Sequence, residues 1–175
     1  MNTKELRIQA ENARKALSVL EVSEKSAAIV DQLVPLLKDK KVIGIYMPLG
    51  NEVDVTSLMF IYDSLGIPKV RNNEEMDFFL ISSPMEVSKG CFGVMEPTTN
   101  VWINPEDFDA LIIPVVAFDK KKNRLGHGKG YYDRYLAKCK ALKIGVAYNM
   151  QCVDHIESQE HDIKMDIIVT EDTIY

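Results

Sequence analysis

Apolar residues recur at helical spacing through the first third of this chain and gather in short unbroken runs after it. Leu6, Ala10, Ala13 and Leu17 share one helical face, with Lys4, Arg7 and Arg14 on others. Ser18 followed by Glu21 spells a capping box, and Ser23 offers a second N-cap. Ala27, Val30, Leu33, Val34 and Leu37 then form the stripe of a second helix. Val42–Met47 is a β-rich apolar run bounded by lysines and Pro48, which predicts a buried strand. Val55–Leu65 returns to helical character. Strands are predicted at Pro68–Val70, Met76–Ile81, Leu111–Ala117, Ile144–Tyr148 and Ile167–Thr170, with a helix at Tyr131–Lys140. The stretch 82–105 is rich in proline and glycine and reads as an ordered excursion that carries ligand contacts.

Helices alternating with buried-type strands predict an α/β fold. The expected form is a Rossmann-like, three-layer sandwich with a mainly parallel central sheet and right-handed crossovers. Ligands in such sheets bind beyond the carboxyl ends of strands. Segments 47–52, 118–130 and 149–162 are therefore expected on one rim.

Composition narrows the partners. At 175 residues and 46% hydrophobic content the chain suits one domain spanning 1–175. A net charge of −5 gives little support to nucleic-acid binding, so an anion site must be a local basic cluster. No apolar run reaches membrane-spanning length, and the charged N-terminus lacks a signal-peptide core. Cys91, Cys139 and Cys152 are widely spaced with no Cys-x-x-Cys pair, as for reduced, partly buried thiols of a cytoplasmic protein.

The densest chemistry lies in 124–136, RLGHGKGYYDRYL. Gly126, Gly128 and Gly130 alternate between an apolar strand and a helix, where backbone can approach a ligand and helix N–H groups point at it. Arg124, Lys129 and Arg134 add positive charge, and Asp133 offers a hard oxygen. The result reads as a polyphosphate cradle with a magnesium ligand. It is neither a dinucleotide fingerprint, because Tyr131 holds the third glycine's place, nor a P-loop, because Gly130 follows Lys129. A plain flexible connection is the alternative.

Other constellations are weaker. Glu52 can accept hydrogen bonds from an amino-bearing heterocycle, or lie in a solvated turn in which Asp54 caps the next helix. Asp162 can share Mg²⁺ with Asp133, while Asp166 reads as an exposed residue before a strand. Cys152, His155 and His161 lack a zinc-ligand spacing, and no nucleophile elbow accompanies a cysteine. Among Phe78, Phe79, Phe92 and Trp102, the tryptophan is the best candidate to stack on a flat ligand, the others reading as core.

The run DALIIPVVAFDKKKNRLGHGKGYYDRYL, Asp109–Leu136, resembles the signature of the 5-formyltetrahydrofolate cyclo-ligase (methenyltetrahydrofolate synthetase) family. Lys4–Arg7 with Arg14 and Leu17, Tyr46–Thr56, Gly93–Pro97, Lys143–Gln151 and His161–Glu171 resemble its other motifs in the same order. The resemblance implies ATP- and Mg²⁺-dependent conversion of 5-formyltetrahydrofolate, free or polyglutamylated, to 5,10-methenyltetrahydrofolate by a cytoplasmic monomer with no nucleic-acid or membrane partner. It implies ATP contacts from Lys4, Arg7 and the loop Arg124, Leu125, Gly126, His127, Gly128, Lys129, Gly130, Tyr131 and Tyr132. It gives the folate side to Met47, Glu52 and His127–Tyr131, magnesium to Asp133 and Asp162, and catalysis to Lys129, Arg124 and Tyr131. Arg134 is implied to be structural or a minor phosphate partner. Thr3 stands where members often carry a basic residue, and Asn72–Met85 matches weakly. A non-catalytic folate- or nucleotide-binding module is the competing class, disfavoured by intact Lys129, Asp133 and Asp162. A different ATP-dependent kinase or ligase is the third.

Overall fold

Asn2 and Ser18 open the first two helices by the same device. Each side chain accepts a bond from the backbone N–H three residues on, and the glutamate there, Glu5 or Glu21, reaches back to the cap's own N–H. In the computed structural model, which describes residues 2–175 and only the backbone of Cys91, these helices are α1 (Thr3–Lys15) and α2 (Val19–Leu37). The Ser18 cap is as the sequence predicts; Ser23 lies inside α2 and caps nothing. The stripe is turned slightly from the predicted one, with Ser26, Ile29, Val30, Leu33 and Leu37 buried and Ala27 exposed.

The strands follow as β1 (Ile43–Gly44), β2 (Leu65–Val70), β3 (Met76–Ile81), β4 (Val87–Lys89), β5 (Met95–Pro97) and β6 (Trp102–Ile103). Then come β7 (Ala110–Pro114), β8 (Ala117–Asp119), β9 (Arg124–Leu125), the helix α3 (Tyr131–Leu136), β10 (Leu142–Val146), β11 (Cys152–Val153) and β12 (Ile167–Val169). Seven of them form the main sheet in the order β12-β10-β7-β1-β2-β3-β6. The pairings from β12 to β2 are parallel, and those of β3 with β2 and β6 are antiparallel. The fold is thus α/β with a mainly parallel central sheet.

Period-two alternation sends side chains of the central strands to opposite faces. Ile43, Ile45, Ala110, Ile112 and Ile144 pack with Ile29, Leu33 and Leu37 of α2. Leu111 and Ile113 face the other way, onto Phe108 and onto Tyr135 and Leu136 of α3. Helices therefore cover both faces, giving three layers. Leu33, Ile112 and Phe78 are fully buried, and each such side chain contributes about 1.5–3 kcal/mol.

Several predicted elements change on folding, and the strand expected over Val42–Met47 is regular only at Ile43–Gly44. Residues 55–65 make only a 3₁₀ turn, Thr56–Phe60, before β2 starts at Leu65, and Phe60 and Ile61 are exposed rather than part of a stripe. The predicted strand Leu111–Ala117 is split. The chain leaves the sheet at Pro114, and Gln151 Nε2 donates to the carbonyls of Val115 (2.8 Å) and Val116 (2.7 Å), taking the place of a ladder. The helix predicted to Lys140 is regular only to Leu136. Cys139 and Cys152 are free and half-buried, as expected, while the Cys91 side chain lies outside the described residues.

Candidate active site

A cavity of about 920 Å³ opens beyond the carboxyl ends of the parallel strands. The three rim segments expected from the sequence all reach it: Met47, Leu49 and Glu52 after β1, residues 124–130, and Glu157, Gln159, His161 and Asp162. Its volume lies at the upper end of the range for small-molecule sites, which suits two co-substrates better than one.

The glycine loop forms one wall. Gly128 (φ 90°) and Gly130 (φ 71°) take left-handed conformations that other residues adopt at a cost. At Gly130 a Cβ would also stand 2.6 Å from Arg134 Nη1. Arg134 braces the loop, donating from Nη2 to Lys129 O (2.8 Å) and from Nε to Glu74 O (2.7 Å). Tyr131 donates its hydroxyl to Asn72 O at 2.9 Å, tying α3 to the β2–β3 turn. Helix α3 has only six residues, so the local cations carry more of the field than the expected helix dipole.

Arg124 is the most constrained of those cations. Its side chain is 3% exposed, and its Nη2 meets Asp133 Oδ1 at 3.0 Å. Its Nε is buried without a hydrogen-bond partner. A guanidinium in a cavity wall with a spare donor suits a phosphate oxygen. Its plane lies over Tyr132, with the ring centroid 5.8 Å away. Burial above all, and then the charge of Glu52, push the Tyr132 hydroxyl well above the ordinary tyrosine range, against the pull of Arg124. Tyr132 therefore stays neutral. Lys129 is exposed and rests its Nζ 4.7 Å from the Phe92 ring centroid.

Asp133 and Asp162 stand in one wall, as the magnesium reading needs. Asp133 accepts from Arg124 and, at 3.1 Å, from the backbone N–H of Ile163, the residue after Asp162; both bonds go to Oδ1. Asp162 Oδ2 accepts from Gln159 N at 2.7 Å. Among the described residues no three His, Cys, Asp or Glu side chains form a metal cluster. Two carboxylates beside a basic phosphate cradle fit Mg²⁺, which completes its shell with water and phosphate oxygens. Asp166 instead accepts from Lys143 N at 2.7 Å and is structural.

Glu52 lines the cavity beside the glycine loop. It is 5% exposed, and its carboxylate accepts from Leu49 N (2.8 Å, Oε2) and faces His127 Nε2 (2.7 Å, Oε1). The solvated-turn alternative is therefore ruled out for Glu52. Asp54 accepts from Thr56 N at 2.9 Å, closing a local turn, but the N-cap position of the 3₁₀ turn is Val55 and no side chain caps it. Arg14 Nη1 lies behind at 3.9 Å. A buried carboxylate with cationic support is a strong acceptor for paired N–H donors.

Of the residues that the resemblance assigns to ATP, folate or magnesium, only Lys4 stays outside the cavity wall; it is exposed on α1. Arg7 lines the cavity as expected, and Thr3, one turn before it on α1, joins it there, a neighbour that i,i+4 spacing could have flagged. Trp102 sits half-exposed on the edge strand β6 and does not line the cavity, whereas Phe92 does, together with Tyr46, Tyr131 and Tyr132. Phe92 also adopts φ 60°, uncommon outside glycine. Tyr46, Val94 and Glu96 also line the cavity; they belong to the motifs Tyr46–Thr56 and Gly93–Pro97, which by themselves assign them no role.

Comparison with known proteins agrees with this fold. The family model described as the 5-formyltetrahydrofolate cyclo-ligase family matches residues 1–171. The chain is 34% identical to a 5-formyltetrahydrofolate cyclo-ligase of Mycoplasma pneumoniae, over 98% of this chain and 100% of that protein. It is 27% identical to the mouse protein of the same name, over 96% and 93% of the two chains. The solved structure of Aquifex aeolicus 5,10-methenyltetrahydrofolate synthetase superposes with a TM-score of 0.90 at 38% identity, covering 99% of this chain and 92% of that one.

Proposed function

The chain belongs to the 5-formyltetrahydrofolate cyclo-ligase family and converts 5-formyltetrahydrofolate to 5,10-methenyltetrahydrofolate; we propose that it drives this ring closure with ATP and Mg²⁺ in the cavity bounded by residues 124–130. The observation that carries the reading is the shared cavity, which brings a basic, glycine-bent loop and the buried carboxylate of Glu52 into one wall.

The chemistry explains why both are needed. A formamide oxygen is a poor leaving group. Phosphorylating it converts it to phosphate, after which N10 attacks the formyl carbon, the C–O bond breaks and N10 gives up its proton. ADP and phosphate are the by-products. The protein's part is positioning and charge stabilisation. Arg124, which lines the cavity, and Lys129, on the loop, would hold the transferring phosphoryl oxygens, with Arg7 and the loop backbone on the rest of the chain of phosphates. Tyr131 would stand between phosphate and folate. Met47 and Glu52 would hold the heterocycle, Glu52 accepting its N–H groups. Asp133 and Asp162 would hold Mg²⁺, which supplies neutralisation of phosphate charge. Lys4, exposed on α1, is left at most a peripheral contact.

The same reading makes residues 1–175 one working domain and a cytoplasmic monomer that acts on free or polyglutamylated folate. It gives the protein no nucleic-acid or membrane partner. No helix among the described residues is long and apolar enough to cross a membrane. The test is the absorbance of the methenyl product in a mixture of protein, 5-formyltetrahydrofolate, ATP and Mg²⁺. A rise that needs both ATP and the metal supports the proposal; a rise with ATP omitted rejects it.

A further inference from the structure

His127 stands between two carboxylates. Its Nε2 lies 2.7 Å from Glu52 Oε1 and its Nδ1 lies 3.6 Å from Glu11 Oε1. Glu52 follows β1 and Glu11 belongs to α1, so one imidazole joins the glycine loop to two other elements. Helix α1 grips the loop a second time, where Arg7 Nε donates to Gly126 O at 2.8 Å. A neutral imidazole has one N–H and can donate to only one of these carboxylates, whereas the imidazolium donates to both. Glu52 and His127 line the cavity, and Glu11 does not.

We propose that Glu11 is a positioning residue that holds His127 as a proton-sensitive latch on Glu52, so that the latch and the substrate's amino-heterocycle compete for the same carboxylate. This rests on the reading of Glu52 as the folate acceptor. Glu52 Oε2 is already committed to Leu49 N, and Oε1 is the atom His127 covers. A heterocycle that donates to Oε1 from the direction His127 occupies displaces the imidazole. Arg14 stays 3.9 Å from the same oxygen, so opening the latch does not strand a buried charge. The other charged and titratable groups around the latch are Arg7 on α1, Lys129 in the loop, Tyr46 behind Glu52 and Tyr132 on α3.

Protonation strengthens the latch and weakens folate binding; by reciprocity, folate binding favours loss of that proton. The His127 side chain is 43% exposed, so the effect is that of a partly screened ion pair, about two- to fivefold in affinity.

The experiment titrates 5-formyltetrahydrofolate into the full chain by calorimetry between about pH 8 and pH 6, where histidines ionise, and measures KM and kcat over the same range. In the parent, Kd and KM for folate rise toward pH 6. Glu11→Gln and Glu11→Ala flatten that rise and leave kcat at saturating substrate unchanged. The His127 imidazole resonance, identified by its loss in His127→Gln, titrates at lower pH once folate is added. Glu11 variants whose affinity follows the parent's pH profile overturn the latch. A Glu52→Gln variant that binds folate as tightly as the parent overturns the acceptor reading beneath it instead.

Discussion

Replacing Arg124 with lysine tests the phosphate wall without removing its charge. Arg124 presents a planar fork of donors: Nη2 is bonded to Asp133 at 3.0 Å, and Nε is buried and unpaired. Lysine has a single charged nitrogen, so it keeps either the Asp133 pair or a phosphate contact, not both. A lost hydrogen bond to a charged group is worth about 1.5–3 kcal/mol, which predicts a fall of roughly 10- to 150-fold in kcat/KM for ATP. Some of the damage falls on the fold, because Asp133 also fixes the Ile163 backbone. A cost of about 1–2 kcal/mol there lowers Tm by roughly 2–8 °C in a chain of this size. Initial rates of methenyl formation against ATP, taken well below the variant's Tm, separate the two. If Tm falls while kcat/KM for ATP stays within about twofold of the parent, Arg124 is a structural brace and the phosphate role is refuted.

Lys129→Ala should lower the rate of phosphoryl transfer more than tenfold, since loss of one charge-stabilising contact typically costs roughly 2–4 kcal/mol; single-turnover kinetics read this directly, and its exposed position predicts an unchanged Tm. Asp133→Asn should raise the Mg²⁺ concentration needed for half-maximal rate, and a superimposable metal titration would remove Asp133 from the ligand set. Asp119, 1% exposed, accepts from Lys121 N, Asn123 N, Asn123 Nδ2 and Ile156 N. Burial opposes its charge, but these bonds outweigh it and hold the carboxyl below the ordinary aspartate range. Its stabilisation is therefore complete above about pH 4 and is lost as pH falls through the depressed value. Denaturant melts of Asp119→Ala should show a deficit of about 2–4 kcal/mol at pH 7 that narrows toward pH 2.

Where local chemistry decided the outcome, the sequence was readable. Asn2 and Ser18 carry their own capping partners, and Met76–Ile81 forms a strand with the predicted ends because alternation and turn residues agree. The rim segments followed from the general rule for parallel sheets, applied to correctly placed strands. Elements set by distant partners were harder. Nothing in Leu111–Ala117 shows that Gln151, some 35 residues on, will take two of its carbonyls. Glu52 looks like any acid in a turn until His127, 75 residues away, and Arg14 close around it. The exchange of Lys4 for Thr3 reflects the angle at which α1 meets the loop, a tertiary quantity. Phe92 replaces Trp102 for a similar reason, because the excursion folds its strained turn inward while β6 remains an edge.

The bonds from Tyr131 to Asn72 and from Arg134 to Glu74 have a consequence for chain length. Surface hairpin turns ordinarily accept added or deleted residues with little effect. The β2–β3 turn, however, serves as a strut against the base of the glycine loop. A one-residue insertion at 72–74 would move the point on which Lys129 is braced, although the turn is far from Glu52 in sequence and supplies no side chain to the cavity wall. This exposed turn is thus held to a fixed length by the loop it braces.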